Sequence, residues 1–473
     1  MMHMMQHEMD TTQLSLNRPH IGPDRSNSFT PDSVIPSDEQ GLIVIVDPIS
    51  TGACLAHHLT GLTHDRLVRV WSSVCPDVVK NHTKKGLEVS YCADMQCDDV
   101  ATTVAALRKL GPVEHVMVGC ETGVLCADML AHALGVDNNG VALSTLRRNK
   151  FEQIEAVRAA GLDAPLQKLA TNAADVEEWL ASEAFPTPFK AVVKPVEGAG
   201  SDGVSICDSP DEVRAAYAGL EGTSNVLGLL NREVLLQEFL RGDEYVVDTA
   251  TRDGVHKVVA IWKYDKREAN GSPIVYFGMR LLSIEDEPEL AEMCRYVNGV
   301  LDALGIRWGA CHSEVKLESR GPVLVEVNCR LHGGEGIWLS IPETCLGYTQ
   351  VTAMADAYLH PASFGVIPSV PRLTLAHGAW VTIRSGKTGT VRGIDDARLA
   401  QIRALPSYID EYLGKGVGDT VVTTVDACTF HGCFNLSHSD AEQLRRDYDH
   451  AQALVDAGIY ILNDEEVGAA GIE

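Results

Sequence analysis

The sequence predicts a multidomain protein of mixed α/β and α+β class, and three stretches carry that prediction. Gly41-Leu42-Ile43-Val44-Ile45-Val46-Asp47 is a continuous apolar run closed by a polar residue, the pattern of a strand buried on both faces. It enters Pro48-Ile49-Ser50-Thr51-Gly52-Ala53 and then a helical pattern, which opens a β-α-β unit. Residues 312–317 and 322–328 read as the arms of an antiparallel hairpin around Glu318-Ser319-Arg320-Gly321. After about residue 360 the texture changes to short strands and turns over 372–434, closed by an amphipathic helix over 439–457. At 473 residues the chain has room for about three domains.

Hydrophobic residues make up 45% and charged residues 22%, the balance of an ordinary soluble globular protein. No apolar run reaches the ~18–20 residues of a membrane span. No secretory signal precedes residue 41, so a cytoplasmic location is expected. The formal net charge of −26 argues against binding nucleic acid or an anionic membrane through a general basic surface. A small anionic ligand needs only a local positive site. The 13 cysteines are scattered without repeated zinc-finger spacing, which predicts reduced thiols. Residues 1–40, rich in Met, His, Pro and Ser without apolar periodicity, read as a disordered leader.

Residues 41–140 read as a small Rossmann-like domain with strands at 41–47, 67–71 and 115–120. No Gly-x-Gly-x-x-Gly follows its first strand, which argues against a dinucleotide site. A helix over 147–160 carries Asn149 and Lys150 in its first turn. A strand over 189–195 contains Lys194, and Glu197-Gly198-Ala199-Gly200-Ser201-Asp202-Gly203 follows before a returning strand at 204–207. Three glycines in six residues let backbone N–H groups close around phosphate oxygens without Cβ interference, although structural turns use the same residues. Residues 234–240 and 255–264 read as strands, 285–304 as a helix, 330–336 as a second Gly-rich loop and 408–413 as a short helix. Ser385-Gly386-Lys387-Thr388 has valine where a P-loop needs its first glycine, at Val381, and reads as a hairpin turn. Tyr276 and Met279 read as core, and Lys263 as either a phosphate or substrate contact or a strand-edge charge.

The hairpin carries the chemistry. Leu324, Glu326 and Asn328 share one face, and in simple register Glu314 lies near Glu326 or Asn328. Two carboxylates, a carboxamide and Arg330 then converge at one end of a pleated surface. Carboxylates this close repel unless a cation lies between them, and hard oxygen ligands suit Mg²⁺ or Mn²⁺ bridging phosphates. By itself the hairpin is equally a solvated acidic face.

The order of these features resembles the ATP-grasp superfamily of carboxylate–amine ligases over about 141–358. It runs Lys150; Lys194 before the 197–203 loop; Leu236-Gln237-Glu238-Phe239-Leu240 before Gly242-Asp243-Glu244-Tyr245; then Glu314 and Glu326-Val327-Asn328-Cys329-Arg330. Within the superfamily the chain is most similar to the dipeptide-forming L-amino-acid ligases of the bacilysin-pathway type. Asp47-Pro48-Ile49-Ser50-Thr51-Gly52-Ala53, Glu121-Thr122-Gly123-Val124, Arg148-Asn149-Lys150 and the C-terminal extension carry that similarity.

The resemblance implies an ATP-grasp fold with a Rossmann-like domain at 41–140, an ATP-grasp domain at 141–358 with its lid at about 185–240, and a C-terminal α/β subdomain at 359–473. It implies ATP with Mg²⁺ or Mn²⁺, and roles by position. Lys150 and Lys194 neutralise phosphate oxygens, and the loop holding Gly198, Gly200, Ser201 and Gly203 covers the β- and γ-phosphates. Glu238 accepts from the adenine amino group, the Leu240 N–H meets a ring nitrogen, and Glu244 lies near the ribose. Glu314, Glu326 and Asn328 hold the metal, and Arg330 stabilises the acyl phosphate and the tetrahedral oxyanion. The implied reaction activates an amino acid carboxylate as an acyl phosphate and couples it to an amine, that of a second amino acid. The partners implied are small molecules, and the resemblance suggests a homodimer. His332 and Glu335 face the second substrate or only shape their loop. A biotin-carboxylase-like or purine-pathway ligase of the same fold, or a catalytically silent nucleotide-binding module, are the alternatives.

Overall fold

The computed structural model describes residues 41–463 apart from 64–65, 77–79, 81–86, 88, 183–184, 186, 199–202, 226–227 and 374. The leader over 1–40, and Gly200 and Ser201 of the Gly-rich loop, lie outside the described residues.

The apolar run at the start forms β1 (Leu42–Val46), joined by β2 (Leu67–Ser72), β3 (Ala93–Cys97) and β4 (Val113–Val118) in a parallel sheet of order β3-β2-β1-β4. Side chains of β1 alternate between faces. Ile43 and Ile45 pack on Leu55 and Leu59 of α1 (Thr51–Thr63). Val44 and Val46 pack on α2 (Val100–Leu110) and α3 (Val124–Leu134), through Leu107 and Leu130. A run buried on both sides therefore had to be continuously apolar. β3 escaped the sequence reading because an edge strand exposes alternate residues and reads Ala-Asp-Met-Gln-Cys.

The Lys150 helix is α4 (Lys150–Ala159), capped by the Asn149 side chain accepting from the Glu152 N–H. Then β5 (Gln167–Ala170), α5 (Ala173–Leu180), β6 (Ala191–Pro195), β7 (Ser205–Cys207), α6 (Pro210–Leu220) and β8 (Val234–Glu238) form an antiparallel sheet of order β5-β8-β6-β7. Val176 and Trp179 of α5 and Val213 and Tyr217 of α6 close its core against Val193 and Leu236.

The larger part of the molecule is built on one antiparallel sheet. Its first strands are β9 (Glu244–Arg252), β10 (Val255–Ala269) and β11 (Ser272–Leu282). After α7 (Leu290–Ala303) come β12 (Gly309–Glu318) and β13 (Gly321–Asn328), the hairpin of the sequence. The helices α8 (Ser340–Leu346), α9 (Gln350–Leu359) and α10 (Pro361–Val366) lead to β14 (His377–Thr382) and β15 (Gly389–Ile394). Then follow α11 (Asp396–Arg403), β16 (Tyr408–Leu413), β17 (Thr420–Val421), β18 (Gly432–His438), α12 (Ala441–Asp456) and β19 (Tyr460–Leu462).

The eight-stranded order is β13-β12-β9-β10-β11-β14-β18-β16, so the C-terminal strands extend the same sheet. α7 packs Val297 and Val300 on Val247, Val315 and Leu324, while α12 packs Tyr448 and Val455 on the β14 and β18 end. Residues 408–413 are a strand, not a helix, because they pair with β18, a partner still to come in the chain. Ser385 to Thr388 is no hairpin turn: it is a bend joining β14 to β15, which lie in different sheets.

Candidate active site

Between the β5-β8-β6-β7 sheet and one face of the large sheet lies a cleft of about 680 Å³. Its floor comes from the β12–β13 hairpin. His312 pairs with Asn328 and Glu314 with Glu326, and a bulge after Glu314 shifts the register so that Val315 meets Leu324. The two carboxylates thus sit opposite one another. Lys150 Nζ lies 2.8 Å from Glu326 Oε2 and donates to the Gly198 carbonyl at 3.3 Å. The Asn328 amide donates to Glu326 Oε1 at 3.2 Å, a bond that does not use its own Oδ1.

The charges of this floor are balanced locally. Burial alone would raise the pKa of Glu326, but Lys150 and Lys194 outweigh it and bring it down to about 2. Glu314 is likewise held low against its burial, by the hydrogen bond from His312. Lys194, on β6 and 5% exposed, is pushed down to about 8 by burial, which Glu326 only partly opposes. Two opposed carboxylates and a carboxamide oxygen beside them make a donor set that fits a hard divalent cation. Glu314, Glu326 and Asn328 would hold it.

At one end of the floor, Arg330 lines the cleft and donates from Nε to Glu121 Oε2 at 3.1 Å. The other oxygen of Glu121 pairs with Arg148. Burial opposes charge on Arg330, but Glu121 holds its pKa above the ordinary value. A carboxylate from the turn after β4 therefore aims this guanidinium. The sequence singled out Glu121-Thr122-Gly123 without a role, and its contact with Arg330 spans 209 positions.

At the other end, Glu238 and Leu240 line the wall. The Glu238 carboxylate is paired with Arg320 of the hairpin turn, and the Leu240 carbonyl accepts from Lys316 Nζ at 3.3 Å. Glu244 lines the cleft but is paired with Lys266. Gly198 is on the wall; Gly203, left-handed at φ 69°, closes the loop against Pro195.

The sequence left Lys263 open between a phosphate or substrate contact and a strand-edge charge, and did not single out Lys266 on the same strand. Lys263 bonds Asp243 at 2.8 Å and Glu287 at 2.9 Å and does not itself line this cleft. Lys266 lines it, stacked 4.5 Å from the Tyr264 ring and 4.4 Å from the Tyr276 ring. Tyr276 is therefore a cleft residue and not core, whereas Met279 is fully buried as expected. Lys190, His312 and Lys316 also line the cleft without having been singled out. His332 lines it too; Glu335 lies on the surface, its N–H donating to Ser50 Oγ at 3.1 Å.

Residues 187–338 match the ATP-grasp domain model. Dapdiamide A synthase of Enterobacter agglomerans is 32% identical over 324 residues, which are 68% of this chain and 74% of that protein. The chain belongs to the ATP-grasp carboxylate–amine ligases. An L-arginine-specific L-amino acid ligase of Bacillus subtilis is 26% identical over 232 residues, 48% of this chain and 54% of that protein. Among solved structures, an L-amino acid ligase from Bacillus licheniformis superposes with a TM-score of 0.67 at 19% identity, covering 90% of this chain and 99% of that one. Phosphoribosylglycinamide synthetase from Anaerococcus prevotii follows at 0.60 and 13%, covering 90% and 100%. Both show that this ATP-grasp ligase shares their fold. Among its described residues no helix is long and apolar enough to cross a membrane.

Proposed function

We propose that this ATP-grasp ligase uses Mg-ATP, or Mn-ATP, to convert an amino acid or related carboxylate into an acyl phosphate, and couples that to the amine of a second amino acid. The observation that carries this reading is the cleft floor, where Glu314 faces Glu326 between Lys150 on one side and Arg330 at the end. The names of the relatives, dapdiamide A synthase and L-arginine-specific L-amino acid ligase, supply the substrate class. The resemblance adds a homodimer and a cytoplasmic setting, with the chain divided at about 140 and 358.

In this reading Lys150 and Lys194 take the phosphates and the loop from Gly198 to Gly203 covers them. The backbone of Glu238 to Leu240 meets adenine, since Arg320 already occupies the Glu238 side chain. Glu244 exchanges Lys266 for a ribose hydroxyl. A divalent cation held here would neutralise phosphate charge. Glu314, Glu326 and Asn328 position it. Arg330, already aimed by Glu121, meets the acyl phosphate and the oxyanion formed when the amine attacks.

The test is phosphate release with Mg-ATP across pairwise mixtures of amino acids, with products read by mass spectrometry. ADP release that depends on an added carboxylate, with a condensed product mass, is expected. Release indifferent to every acid offered would overturn the reading. Glu326→Ala should lower turnover by about 10²–10³, by analogy with loss of one transition-state charge contact, with an unchanged circular dichroism spectrum.

A further inference from the structure

Beneath the cleft, β9 presents Asp248, which has no solvent exposure. Its Oδ2 accepts from Trp262 Nε1 at 2.9 Å, and two imidazoles close on it. His312 Nδ1 lies 3.0 Å from Oδ1 and His332 Nδ1 2.9 Å from Oδ2. The two histidines differ at their other nitrogens. His312 Nε2 is engaged, 3.3 Å from Glu314 Oε1. His332 Nε2 makes no hydrogen bond among the described residues, and its ring lines the cleft two positions beyond Arg330.

The His332 ring cannot turn freely. It is packed between His312, with centroids 4.1 Å apart, and Trp338, at 4.5 Å. Its backbone N–H donates to Gln350 Oε1 at 2.8 Å, and the next carbonyl, Gly333 O, accepts from Thr51 Oγ1 and Trp338 Nε1. A carboxylate on Nδ1 fixes the tautomer with hydrogen on Nδ1 and the lone pair on Nε2.

We infer that His332, oriented by Asp248, is the general base of the amide-forming half-reaction, taking a proton at Nε2 from the ammonium group of the incoming amine. This rests on the ligase reading above. An α-amino group, with a pKa near ~7.7–8.0, is largely protonated at neutral pH and has no lone pair to attack with. Once Nε2 holds one proton, the freed nitrogen pair forms the C–N bond at the acyl carbon and the C=O pair moves to oxygen beside Arg330. Collapse of that oxyanion breaks the C–O bond to phosphate, which leaves with its electron pair. Phosphate takes the second proton from nitrogen, leaving a neutral amide.

The other charged groups on the cleft floor have tasks of their own in the ligase reading. Lys150, Lys194, Lys266 and Arg330 are cationic, and Glu314 and Glu326 face the cation site. The charged or titratable groups facing His332 are Asp248 of β9, His312 of β12 and its own neighbour Arg330. Burial, with His312 and Arg330, pushes its pKa down against the pull of Asp248, so the ring is neutral when the ammonium arrives.

The experiment compares two nucleophiles on the full-length protein with Mg-ATP and an accepted carboxylate. Hydroxylamine is unprotonated at neutral pH and traps the acyl phosphate as a hydroxamate; an amino acid amine must first lose its proton. His332→Gln should keep hydroxamate formation within roughly threefold while amide formation at pH 7 falls about 10²–10³, in the range of a lost general base, and recovers as pH rises above the amine pKa. Asp248→Asn should show the same selectivity with a smaller loss. His332→Asn serves should the glutamine variant misfold. Equal losses with both nucleophiles, or an unchanged amide rate at pH 7, would overturn the assignment. If the native protein forms neither ADP nor hydroxamate with any carboxylate, the ligase reading falls and takes this one with it.

Discussion

Lys194 shows how one buried charge sets a pH response. Its pKa of about 8 lies below the ordinary lysine value of ~10.4, so between those values the folded protein holds it less protonated than an unfolded chain does. In the nucleotide-free protein this group makes stability rise with pH across that window. In the proposed function, phosphate oxygens beside Lys194 would reverse the balance. Nucleotide binding near pH 8.5 should therefore take up protons, seen as a buffer-dependent heat in calorimetry, and affinity should weaken as pH rises through about 8. Glu326 runs the other way. Its pKa of about 2 gives stability that is complete above the ordinary carboxylate value and is lost as pH falls from there toward 2. Lys150, Lys194, Glu314, Glu326 and Arg330 line one cleft, and each was legible as a candidate because it sits in a short motif. Lys266 and Asp248 were not. Lys263 and Lys266 have equal local claims, and only the choice of face on β10 separates them. Asp248 sits among apolar neighbours, and His312 reaches it across the sheet from 64 positions away.

At the scale of elements, the join between β11 and β14 is made by a glycine. A Cβ on Gly278 would stand 2.0 Å from the Trp380 carbonyl and 2.7 Å from the Tyr448 hydroxyl. Gly278→Ala should cost at least the ~1–3 kcal/mol typical of overpacking, read as a lower urea midpoint, because one of the obstructing atoms is backbone. No sequence signal marks this glycine, since its neighbours approach only after folding. Elements with local partners were legible: the β12–β13 hairpin and the β6–β7 return are each closed by their own loop. Edge and late-pairing strands were not. β3 is half exposed, and β16 finds its neighbour only when β18 is in place.

At the scale of the molecule, Arg147 is a bolt through three regions. It is 1% exposed, pairs with Asp128 of α3 at 2.6 Å, and donates to the carbonyls of Asn139, Gly140, Leu304 and Gly305. Arg147→Met leaves Asp128 buried without its counter-charge, with the Ser144 hydroxyl still donating to it at 2.7 Å, and should lower unfolding free energy by ~3–5 kcal/mol in denaturant titration. Adding Asp128→Asn to that variant should recover part of the loss, because the uncompensated charge goes with it. The single large sheet has a consequence for synthesis. β11 leaves the ribosome long before β14 exists, so its row of backbone donors and acceptors waits uncovered in a chain that is already folding. An open strand edge of this kind invites pairing with another chain. A chain stopped after α9 would keep that edge for good and should aggregate on expression, even though every cleft-floor residue named above would be present in it.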